Sequence, residues 1–157
     1  MKKRGIIRFH NFSFGVTSAV MTSLVLVIGL GGAADNIPLI TALLIIAIAD
    51  NISDSFGIHI YQESKRITPK EVKKTTMNNF IARMLTTFVF ILFVICLPTN
   101  IAILFSVIFG VIILTILSYL ISKIQKINPY HSIIRHLALT IILMASGFIL
   151  KYVILKI

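Results

Sequence analysis

The chain has 157 residues, of which 57% are hydrophobic and only 13% charged, with a net charge of +10 and a mean hydropathy of +0.99. Soluble domains carry roughly a quarter charged residues, so this composition excludes an ordinary water-soluble domain. One cysteine, Cys96, excludes an internal disulfide framework.

The apolar residues come in long runs. A helix crossing the hydrocarbon core needs roughly 20 predominantly apolar residues, and about five such runs use most of the chain. The expectation is an all-α integral membrane protein with a single transmembrane domain over residues 1–157 and no separate soluble domain. The positive charges lie between the apolar runs, where they read as topology signals and contacts to anionic lipid. No nucleic-acid-binding signature accompanies them.

Basic residues Lys2, Lys3, Arg4 and Arg8 precede an apolar stretch from Phe12 to about residue 31. That run exceeds the 7–15 residues of a secretory signal, so it reads as a retained first helix. Asp35-Asn36-Ile37-Pro38 marks a turn, and Pro38 suits a first helical turn. The second helix covers about 38–61 and carries an unusual polar load: Asp50, Asn51, Ser53, Asp54, Ser55 and His59. A short basic linker follows over 62–79. Within it Thr68-Pro69-Lys70-Glu71 resembles a helix start, predicting a short amphipathic helix. Three more spans follow at about 80–97, 101–122 and 133–155, separated by Pro98-Thr99-Asn100 and by a loop broken at Asn128-Pro129.

Lys and Arg collect on the cytoplasmic side of membrane proteins. The N-terminal arm, the segment 62–83 and the segment 123–135 together hold thirteen, against two, Lys151 and Lys156, on the other side. Five spans with the N-terminus inside and the C-terminus outside satisfy this alternation. Arg83 and Arg135, each at the start of a span, are expected to snorkel to lipid head groups.

Carboxylates inside a span are costly, and the cost is commonly met by function. Asp50 and Asp54 are four apart and share a helix face. Gly57 continues that face. Ser18 and Thr22 of the antiparallel first helix fall at a similar depth. An oxygen-rich set of this kind suits hard or borderline divalent cations. Two close carboxylates in a low dielectric resist being ionised together, so metal would enter as protons leave. The alternative is that the aspartates are hydrogen-bonded helix glue. His59 reads as a ligand, a proton relay or a residue resting in the interface. Asn51 and Ser55 complete the site or bond a neighbouring helix. No hydrolase triad, phosphate loop or haem motif is present, so the chain does not read as an enzyme.

Phe14-Gly15-Val16-Thr17-Ser18-Ala19 and Ala49-Asp50-Asn51-Ile52-Ser53-Asp54-Ser55-Phe56-Gly57, followed by Gln62-Glu63-Ser64-Lys65, resemble the vacuolar iron transporter (VIT) family. Its first helix typically carries Phe-Gly-x-x-Asp-Gly and its second Ala-Asp-x-x-Ser-Met-x-x-Gly. The resemblance implies a VIT-like bundle and a homodimer that moves Fe²⁺ or Mn²⁺ out of the cytosol in exchange for protons. The metal is cargo, and no cofactor is implied. By position, Asp50, Ser53 and Gly57 match, whereas Ser18 stands at the first-helix aspartate and Asp54 at the second-helix methionine. The glutamate-rich cytoplasmic domain of many members is replaced by the basic linker 62–79. Metal residues on this reading are Asp50, Asp54, Ser18, Thr22, His59 and Asn51. Short loops point to a prokaryotic plasma membrane. The other reading is a non-transporting membrane scaffold or binding protein that keeps the VIT-like fold.

Overall fold

The computed structural model describes residues 3–32 and 36–154, with side chains over 9–32 and 36–153. The side chains of Lys3, Arg4 and Arg8, and all of Lys2, Ala33, Ala34, Asp35, Leu155 and Lys156, lie outside the described residues. Five long helices make up the described chain: α1 Lys3–Leu30, α2 Ile37–Ser64, α3 Pro69–Cys96, α4 Thr99–Gln125 and α5 Pro129–Ile154. All five are long and apolar enough to cross a membrane, that of α1 over Phe9–Leu30.

Two elements differ from the sequence expectation. The segment 62–79 is mostly helical: α2 continues to Ser64 and α3 begins at Pro69, leaving only residues 65–68 between them. The amphipathic helix expected from Pro69 is there and runs without a break into the span as one α3. Val72 and Thr75 are fully buried beneath exposed Lys70, Lys73 and Lys74. Thr68 takes an extended conformation ahead of Pro69 at the first helical position, but its side chain makes no cap bond. The second difference is in α2, which widens to a π-helical turn at Ile46–Asp50. Such turns occur mostly as single interruptions of α-helices, frequently at functional sites.

Helix ends are closed locally. Gly31 donates to the Val27 carbonyl, and Gly32 turns the chain at φ +82. At the end of α4, Lys126 is left-handed and Ile127 N–H reaches back to the Ser122 carbonyl at 3.1 Å. That pattern satisfies carbonyls the helix would otherwise leave bare.

α1 is the central strut and touches every other helix. α2, α3, α4 and α5 follow one another around it, but among the described residues α2 and α5 do not meet. The ring is therefore open between them. In lipid, helices associate through close packing at small residues, because the tails are as apolar as the side chains. Here a Cβ on Gly110 would meet Leu24 at 2.7 Å, and one on Gly147 would meet the Val25 carbonyl at 2.7 Å. The core runs along α1 through Val16, Val20, Leu24 and Val27, with Leu39, Leu43, Phe90, Val94 and Leu114 around it. Phe90 is buried and Phe88 exposed, while Phe93 stands edge-on to Phe105 and Phe109. Cys96 is exposed, not packed into the core.

Candidate functional site

The gap in the ring sets the location of the site. On the half of the bundle that carries the 65–68 and 126–128 loops, a cavity of about 900 Å³ opens between α2 and α5, with α1 as its floor. Its α2 wall presents Ser53, Asp54, Gly57 and Tyr61, and its far wall Ser118, Arg135 and His136. Gly57 has nothing within 4 Å of where its Cβ would stand, so that wall faces open space. Ser118 and His136 are hydrogen-bonded to each other at 2.8 Å. Arg135 is exposed at the rim.

Asp54 lies ten residues from the end of α2, about 15 Å along the axis, and Asp50 one turn deeper. Both carboxylates are about two-fifths exposed, at 37% and 41%. Their partner is Arg83, whose side chain is 1% exposed. One guanidinium nitrogen pairs with Asp54 at 2.5 Å and the other with Asp50. Arg83 also donates to Ser18 Oγ at 2.6 Å, and that hydroxyl lies 3.5 Å from Asp54. The planar fork of arginine matches two acceptors at once, which an ammonium cannot do. Arg83 reaches this place because Gly15 lets α3 come close to α1: a Cβ there would stand 2.6 Å from Asn79 Oδ1 and 3.2 Å from Arg83 Cγ.

The expectation that Arg83 snorkels to head groups is therefore corrected. The aspartates one helix away offer its charge a closer partner than the membrane surface does. Sequence alone held a clue in Arg83 itself, fourteen residues into α3 and followed by no charged residue up to the end of that helix at Cys96. What the sequence did not hold was the long-range register that sets α3 beside Asp50 and Asp54.

The remaining expected site residues are placed elsewhere. Thr22 donates to the Ser18 carbonyl of its own helix. Asn51 is buried and donates to the Phe80 carbonyl at 3.1 Å. His59 sits near the end of α2, 3.4 Å from Glu63 and 3.4 Å from Thr76, and is stacked on Phe56. The structure thus gathers Asp50, Asp54, Ser18 and the unexpected Arg83. Among the described residues no three His, Cys, Asp or Glu side chains form a group that could hold a metal ion.

No protein-family model matches this chain, and no curated protein sequence does. Two half-exposed carboxylates and one buried guanidinium, if all are ionised, leave one unit of negative charge within a span. Charge at that depth is expensive unless it is paired. The site is chemically suited to one more cation, which the groove can admit beside Asp54. Three buried polar atoms close by have no hydrogen-bond partner among the described residues: Arg83 Nε, Asn79 Oδ1 and Asn51 Oδ1.

Proposed function

We propose that the chain is a membrane transporter for divalent metal cations, with Mn²⁺ or Fe²⁺ as cargo, Asp50 and Asp54 as the binding carboxylates and Ser18 as a supporting oxygen. The single observation that carries this reading is the half-exposed Asp50–Asp54 pair deep in α2, Asp54 lining the groove and Asp50 one turn beyond it, with only one guanidinium against the two. The VIT-like motif in α2 supplies the cargo class. Its methionine position is Asp54 here, and an all-oxygen site shifts preference from Fe²⁺ toward the harder Mn²⁺. The groove opens on the half of the bundle that carries the basic loops. The positive-inside rule makes that half cytoplasmic, with the N-terminus in and the C-terminus out. Cargo enters from the cytosol and leaves on the far side against protons. A homodimer in a prokaryotic plasma membrane completes this reading.

The second reading is a non-transporting membrane scaffold. The observation that favours it is that Arg83 already bonds both carboxylates.

The deciding experiment is Mn²⁺ and Fe²⁺ uptake into proteoliposomes under an imposed pH gradient, comparing the parent with Asp50→Asn/Asp54→Asn. Uptake in the parent that falls to the protein-free background in the double variant is the expected result. No uptake of either ion by protein that elutes as a single folded species would leave the scaffold reading standing.

A further inference from the structure

The site contains a contradiction that the transport reading must resolve. Its carboxylates are the groups that would hold a metal ion, yet a cation of the protein's own already holds them. We propose that Arg83 is a tethered counter-cation: it occupies the Asp50–Asp54 pair when no metal is bound, withdraws when a divalent ion binds, and returns to expel it. This inference rests on the cation-transport reading above.

Charge counting makes the two occupants exclusive. With Arg83 in place the ionised carboxylates need one further positive charge, and a divalent ion would overfill the site. With Arg83 withdrawn, two carboxylates balance one divalent ion. Like charges brought together in a poorly solvated site repel strongly, so metal and guanidinium cannot share both carboxylates.

The geometry gives the withdrawn guanidinium somewhere to go. Asn79, one turn earlier on the same helix, is fully buried, and its Oδ1 accepts no hydrogen bond among the described residues. That oxygen and Arg83 Cγ both stand against Gly15, at 2.6 Å and 3.2 Å from the same point. Arg83 Nε is likewise buried and, among the described residues, unpaired. An orphaned acceptor beside an orphaned donor is unusual in a folded protein, where buried polar groups are nearly always satisfied. A second position for Arg83, turned onto Asn79 Oδ1, satisfies both atoms and frees the carboxylates together with Ser18 Oγ. The bundle then has two hydrogen-bonded states of one side chain, and a divalent ion at Asp50 and Asp54 favours the withdrawn one.

The test separates affinity from turnover. Mn²⁺ binding is measured on the full-length protein in detergent, and Mn²⁺ uptake in proteoliposomes. In Arg83→Gln the Mn²⁺ dissociation constant should fall at least about tenfold, while uptake slows because nothing displaces the ion. A merely structural role for Arg83 would weaken both. Arg83→Lys keeps the charge but loses the fork, and should bind Mn²⁺ with intermediate affinity. In Arg83→Ala, millimolar free guanidinium should compete with Mn²⁺ and restore the weak parental affinity. If the parent takes up Mn²⁺ but Arg83→Gln and Arg83→Lys bind it no more tightly than the parent, the tethered-cation inference is overturned and the transport reading stands. If the parent takes up no metal and the folded variants bind none, both fall together.

Discussion

At the scale of single residues, Gly15 and Arg83 form one device. Arg83 is fully buried inside the bundle, and it stays so because Asp50, Asp54 and Ser18 receive its nitrogens. Gly15 lets α3 come close enough for that. A Cβ there would meet not only the flexible Asn79 side chain but also the Asn79 backbone carbonyl at 2.8 Å. A backbone atom cannot swing away, so α1 and α3 would have to separate. Gly15→Ala should cost about 1–3 kcal/mol, the usual range for overpacking a close contact. It should also weaken the effect of Arg83 on Mn²⁺ affinity. Thermal unfolding of the purified variant checks the first expectation and a metal titration the second.

At the scale of elements, the wide turn at Ile46–Asp50 is the least regular part of any helix here. It ends on Asp50 itself. Directly after it, α-helical geometry resumes and puts Asp50 and Asp54 one turn apart on the same guanidinium. The ends of α1 and α5 are tied by a different device. Lys151 donates to the Gly31 carbonyl at the close of α1, where bare carbonyls concentrate negative partial charge. Lys151→Met should lower stability by about 0.3–1 kcal/mol, measured as a shift of the unfolding midpoint, without altering metal binding at the distant carboxylates.

At the scale of the whole molecule, an incomplete ring of helices around α1 leaves a groove on the half that carries the 65–68 and 126–128 loops. The orientation proposed for that half rests on charge. Moving Arg83 from the loops into the core reduces the count on the basic side from thirteen to twelve, still against two, so the bias survives the correction. In a Cys96→Ser background, Lys70→Cys should react with a membrane-impermeant maleimide only in inside-out vesicles, and Asn100→Cys only in intact cells. The reverse pattern would invert the bundle and with it the proposed direction of transport.

The sequence by itself determined that there are five apolar helices and roughly where each lies. A helix in lipid satisfies its backbone internally, so the length of an apolar run is enough to specify a span. It also marked Asp50 and Asp54 as one face, because that pairing depends only on a spacing of four. A helix start at Thr68-Pro69 was legible, but its burial was not, since the packing of Val72, Thr75 and Asn79 against neighbouring helices is tertiary. Only the tertiary structure decided the fate of Arg83, Thr22, Asn51 and His59. Each is a polar side chain with several possible partners, and the choice between lipid head group, own backbone and neighbouring helix is made by the close approach of helices far apart in sequence. Asp54 and Arg83 are twenty-nine residues apart along the chain, and the contact that joins them is permitted by a glycine on a third helix.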